Sequence, residues 1–130
     1  MCLIVSTNET LKLIKRNVKT LTVYKRVDVN FDNKTLHPPY IGEAPPYKVG
    51  WNVSDSTMKK VCTHDSHMIF HGIHVYLTKD KAERCKCDNE VVKMKVNLED
   101  LLGVSHNETA VFKKAYISPK EYLRGLGNCQ

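Results

Sequence analysis

The chain has 130 residues, enough for one domain around one core. Hydrophobic residues at 42% and charged residues at 26% fit an ordinary globular protein, and the longest apolar runs are a few residues, too short to cross a membrane. Lysine and arginine outnumber aspartate and glutamate by 20 to 14, for a net charge of +6. Much of that excess lies in Lys12, Lys15, Arg16, Lys19, Lys25 and Arg26, read here as a solvated basic surface. The run lacks the interleaved aromatics of a base-stacking platform, so nucleic acid is a secondary candidate partner.

In chain order, MCLIVSTNET has no basic leader and only a four-residue apolar run, which predicts no secretory signal and a cytoplasmic setting. The five cysteines, Cys2, Cys62, Cys85, Cys87 and Cys129, are odd in number and irregularly spaced, and read as reduced thiols. The sequons at Asn8, Asn33, Asn52 and Asn107 are then expected to be polar turns.

Leu3–Val5 is a short strand candidate, and Ser6 with Glu9 has capping-box spacing for a short helix. Thr20–Val29 is a clear strand, with Leu21, Val23, Lys25, Val27 and Val29 on one face. Lys25 interrupts that apolar face, so it belongs at a sheet edge, snorkels outward or points into a site. Residues 30–46 read as a Pro-rich loop, Tyr47–Val53 as a strand or arm, and 54–67 as a polar loop. Gly72–Leu77 is a third strand, after which Thr78 caps the short helix KDKAERC. Val91–Leu98 alternates cleanly, Glu99–Thr109 is a connection, and Ala110–Ile117 is a last strand. Ser118-Pro119-Lys120-Glu121 marks a final helix with a cap, a proline at its first position and a glutamate placed to return a bond to the cap amide; Gly125 and Gly127 stop it. The pattern predicts α+β: a single compact domain over 1–130, with a twisted, mostly antiparallel sheet and short helices.

Three constellations carry chemistry. Cys62, His64 and His67, with His71, His74, Cys85 and Cys87 beyond, are dense in zinc-type ligands, but C-x-H and C-x-C match no standard module and zinc is not favoured. MCLI is superficially similar to the start of N-terminal-nucleophile amidotransferases, whose sandwich domain is far larger than this chain; Cys2 reads better as a small hydrophobe opening a strand. The third is HGIHVYLTKDKAE. Its parity places His74 and Tyr76 on one strand face and Ile73, Val75 and Leu77 on the other. Gly72 allows the backbone to bend or approach a ligand, and Thr78 opens a helix whose amides suit an anion. With Tyr24 and Lys25, these residues make a candidate pocket for a phosphate-bearing or nucleotide-like ligand.

The order MCLI, VYKRV, PPY…PPYKVG, HGIHVYLTKDKAE and VVKMKV resembles a group of small uncharacterised proteins of bacteriophages and large DNA viruses, with Pro38-Pro39-Tyr40 where the pattern has Ser-Pro-Tyr. The chain is also similar, more faintly, to the ADP-ribosyltransferase-like fold, especially its RNA 2′-phosphotransferase branch. Ile73–Thr78 and Ser118–Leu123 match that fold's H-V-H-L-S strand and P-x-E-Y-L segment in order. The similarity implies that His74 contacts NAD or an ADP-ribose-like ligand, and that Tyr24-Lys25 occupies the first-strand position where that fold places His or Arg. A lysine there, and a Glu121 already suited to capping, make a degenerate member that only binds or only plugs at least as good an expectation as a transferase of ADP-ribosyl or phosphoryl-ester chemistry, in which His74 and Lys25 would stabilise developing negative charge.

These readings together predict a viral or phage accessory protein of the host-cell cytoplasm with a phosphate-binding pocket at His74, Tyr76, Thr78, Tyr24, Lys25 and Gly72. The alternative is a non-enzymatic module that contacts a host or virion protein through the Pro-rich loop Leu36–Tyr47; a small zinc module is third.

Overall fold

The computed structural model describes residues 3–39, 45–84 and 89–127. Cys2, Tyr40, Cys85, Cys87 and Cys129, to which sequence reasoning attaches expectations, lie outside them. In chain order the elements are β1 (Leu3–Ile4), α1 (Thr7–Lys15), β2 (Thr20–Asn30), β3 (Thr35–His37), β4 (Gly50–Val53), β5 (Met68–Ile69), β6 (Ile73–Tyr76), α2 (Lys79–Arg84), β7 (Glu90–Asn97), a single 3-10 turn (Leu98–Asp100), β8 (Leu101–Val104), β9 (Thr109–Phe112), β10 (Lys114–Ile117) and α3 (Pro119–Gly125).

The architecture is α+β in one compact domain. The main sheet runs β4-β10-β7-β2-β6-β9-β8, with β3 added to the far end of β2, and each described pairing is antiparallel. β9 and β10 are one residue apart in the chain, yet β6, β2 and β7 lie between them in the sheet. The sheet must therefore curl until its two halves face each other, and the chain crosses between them at Lys113. The concave side holds the larger core, which includes Val23 and Val27 of β2, Val92, Met94 and Val96 of β7, Val75 of β6, Phe112 of β9 and Ile117 of β10. A smaller core of Leu3, Val5, Ile69, Leu102 and Val111 attaches the β1–β5 pair to the outside of the β8–β9 hairpin. α1 packs on β8, α2 on β2 and α3 on β7. No helix among the described residues is long and apolar enough to cross a membrane.

Three elements depart from the sequence expectations. The stretch 30–46 is not all loop: β3 folds back on β2 in a hairpin, with Asp28 opposite His37, through a turn in which Lys34 has φ 55°. Three residues with one buried leucine are too short to show a period. Residues 101–104 are not a connection but β8, buried at every position, so Leu-Leu-Gly-Val shows no alternation. Ala110–Ile117 is two strands, because Lys113, whose amide bonds Asp100 O at 2.9 Å, is where the chain changes partners. The sequons are not all turns either: Asn33 and Asn107 are, but Asn8 lies in α1 and Asn52 is buried in β4. There the Asn52 side chain accepts from Lys48 N at 2.9 Å and donates to Lys48 O and Gly50 O.

The helix signals are physical. Ser6 accepts from Glu9 N at 3.3 Å and Ser118 from Glu121 N at 3.1 Å, each satisfying an amide that the first helical turn leaves without a partner. The return bond of the second box does not form. Glu121 Oε1 instead accepts from Lys93 N of β7 at 2.8 Å and from the Arg124 guanidinium, so the carboxylate docks α3 onto the sheet. Gly125 is not a left-handed stop; a Cβ there would meet Val92 at 2.8 Å, so its role is close approach of α3 to the core.

Candidate functional site

The site is built where the main sheet comes apart. β2 pairs with β7 along eight positions but with β6 at one, Tyr24 opposite Tyr76. Beyond that pair the two strands separate. A backbone carbonyl left without a ladder partner inside a protein must find another donor. His74 O finds the ammonium of Lys25, at 2.6 Å. A lysine side chain thus stands in for a missing rung, which explains its place on the apolar face of β2.

The separation opens a cavity of about 140 Å³, lined by Leu3, Lys25, Arg26, Pro39, His74, Val75, Tyr76 and Thr109. Leu3, Val75 and Pro39 make apolar walls, and three side chains of the lining are basic. Lys25 and Arg26 are only 6% and 8% exposed, so both charges are held largely out of water. Burial, and then the neighbouring Arg26, bring the Lys25 ammonium down to about 8. The Arg26 guanidinium lies 5.7 Å from the centre of the Tyr76 ring, within cation–π range. No carboxylate belongs to the lining among the described residues.

His74 has a double role. Its ring nitrogens lie 3.3 Å from Gly72 O and 3.3 Å from Ile69 O, so the imidazole ties the end of β5 to the start of β6. A neutral ring donates to only one of these carbonyls and a protonated ring to both. Burial first, and Lys25 second, outweigh those two acceptors and hold the His74 pKa below its ordinary value.

The structure brings Lys25, His74 and Tyr76 together at the cavity. The other three expected residues are not part of its lining. Tyr24 is the cross-strand partner of Tyr76. Gly72 has φ +136°, and a Cβ there would meet Val111 at 2.3 Å, so its bareness serves packing against β9. Thr78 Oγ1 accepts from Lys81 N and donates to Glu108, both at 3.3 Å, so the start of α2 already faces a carboxylate of the chain itself. Sequence reasoning missed Arg26, Pro39, Leu3 and Thr109. Strict alternation sends Arg26 to the opposite face from Lys25, and only the splayed β2–β6 junction lets both reach one cavity. The signal that was present is the tandem Lys25-Arg26 inside an otherwise apolar strand. The rest of the early basic run, Lys12, Lys15, Arg16 and Lys19, is exposed.

No group of three His, Cys, Asp or Glu side chains among the described residues is placed to hold a metal ion, and Cys62 is a half-buried free thiol. Comparison with protein-family models, curated proteins and solved structures finds no match to the chain.

Proposed function

We propose that this protein binds a compact phosphate-bearing ligand in the cavity between β2 and β6. One observation carries the reading: Lys25 and Arg26, both buried, line a cavity with His74 and no carboxylate among the described residues. Both cations are held largely out of water, and a bound anion offsets the cost of keeping two like charges buried side by side. Arginine forks and lysine ammonium groups are the ordinary partners of phosphate oxygens. At about 140 Å³ the cavity lies below the ~300–1,000 Å³ of pockets that enclose a whole drug-sized molecule. It therefore takes one phosphoryl group and a few further atoms, and a dinucleotide such as NAD engages it only through one end. The resemblance to phage and large-DNA-virus proteins makes such a receptor a viral accessory protein of the host cytoplasm, and that is part of the same proposal.

The test is a thermal-shift titration with inorganic phosphate, ADP-ribose and NAD. Phosphate raises the melting temperature, by mass action equivalent to about 2.7 kcal/mol at a hundredfold excess over Kd. Lys25→Met, which keeps the volume and removes the charge, abolishes the shift. A wild-type protein that shows no shift at millimolar phosphate overturns the reading.

A further inference from the structure

We propose that Lys25 captures its ligand covalently and reversibly: its side-chain amine condenses with a small aldehyde or ketone carrying a phosphate, and Arg26 holds that phosphate. This rests on the anion reading of the cavity and deepens it by naming the class of ligand.

The geometry has what an imine-forming lysine requires. The side chain is buried and reaches the wall of a cavity large enough for a two- or three-carbon compound. Its nitrogen is fixed by one hydrogen bond, to His74 O at 2.6 Å. A neutral carbonyl takes one N–H and leaves the lone pair of an uncharged amine unused, whereas a carboxylate in that place would hold the amine as ammonium. The lining supplies no carboxylate among the described residues. Arg26, the adjacent residue, is a guanidinium that does not give up its proton. Desolvation together with a neighbouring cation is a recognised way of activating a lysine amine toward carbonyl compounds. With the ammonium brought down to about 8, roughly a tenth of Lys25 is uncharged at pH 7, against about one in three thousand for an ordinary lysine. The apolar walls of Leu3, Val75 and Pro39 limit water and so favour a step that releases it.

The lone pair of Lys25 Nζ attacks the carbonyl carbon, and the C–N bond forms as the C=O π bond opens. A proton moves from nitrogen to oxygen to give a carbinolamine. The nitrogen lone pair then expels that oxygen as water, taking the second nitrogen proton with it, and a C=N bond replaces the C–O bond. Amine and carbonyl become imine and water without oxidation or reduction, and hydrolysis reverses the step.

Wild-type protein incubated with glycolaldehyde phosphate and cyanoborohydride, then digested and mapped by mass spectrometry, tests this. The expected result is a reduced adduct on Lys25 formed at least about tenfold faster than on the exposed Lys12 and Lys15, slowed by inorganic phosphate and lost in Lys25→Arg. Glycolaldehyde without the phosphate labels Lys25 more slowly. A Lys25 that reacts no faster than the exposed lysines overturns the proposal; if phosphate still raises the melting temperature, the anion reading survives that failure. Labelling of Lys25 that phosphate neither slows nor accompanies with a melting shift overturns the anion reading, and with it the ligand class named here.

Discussion

Lys25 ties the pH dependence of the fold to the cavity. The unfolded chain holds that proton up to about pH 10.5, and the folded chain only up to about 8. Between those values unfolding takes up a proton, so the folded state gains stability as pH rises through the window; below it both states are charged and the burden of the buried ammonium is felt in full. The full difference is on the order of 3 kcal/mol. Urea unfolding of wild type and Lys25→Met at several pH values reads it: the variant is the relatively more stable protein near pH 7, and its advantage shrinks toward pH 10. A constant difference across that range removes the linkage. At this scale the sequence announces that Lys25 is out of place on its strand face. It does not announce the partner, because His74 contributes a backbone carbonyl, which every residue has, and not its side chain.

Elements differ in how openly their ends and partners are written. The serine caps and the proline of α3 act within one turn of chain, so Ser6 and Ser118 are readable as they stand. Glu121 obeys the same local spacing, yet its carboxylate serves the Lys93 amide and Arg124. Burial alone would raise its pKa, but the Arg124 and Lys93 bonds prevail and hold it below the ordinary value. Glu121→Ala therefore frees α3 from β7 and leaves the Lys93 amide without its acceptor. It costs about 1–3 kcal/mol in urea unfolding at neutral pH, more than the ~1 kcal/mol expected for Ser118→Ala; equal losses would mean that Glu121 acts only within its helix. The strands β3 and β8 escaped the sequence for opposite reasons. β3 is too short to have a period, and β8 is covered on both faces by the two cores, so the alternation that reveals β7 is missing.

For the whole molecule, the β8–β9 hairpin joins the two cores. Leu101 and Phe112 belong to the larger one, and Leu102 and Val111 to the smaller one, at neighbouring positions of the same strands. The α+β class and the antiparallel sheet are legible from alternation alone. The curl of the sheet is not, because it follows from a one-residue change of partners at Lys113 that leaves no mark on hydropathy. Shared strands imply shared melting. Leu102→Ala, made in the smaller core, costs about 2–5 kcal/mol and lowers the transition seen by Trp51 fluorescence, on the far edge strand β4, by the same amount as that seen by far-ultraviolet circular dichroism. Two separated transitions would mean that the cores unfold independently.

The buried amide of Asn52 has a consequence for how these molecules behave in a crowd. The main sheet ends at β4, and an end strand is a template on which the strands of other chains can grow. By binding Lys48 on both its N–H and its C=O, Asn52 closes the chain on itself just ahead of β4, so the edge open to an incoming strand is only the four residues Gly50–Val53. Together with the like charge of +6 that each copy presents to the next, this self-sealed margin disfavours polymerisation of the chain through its own sheet.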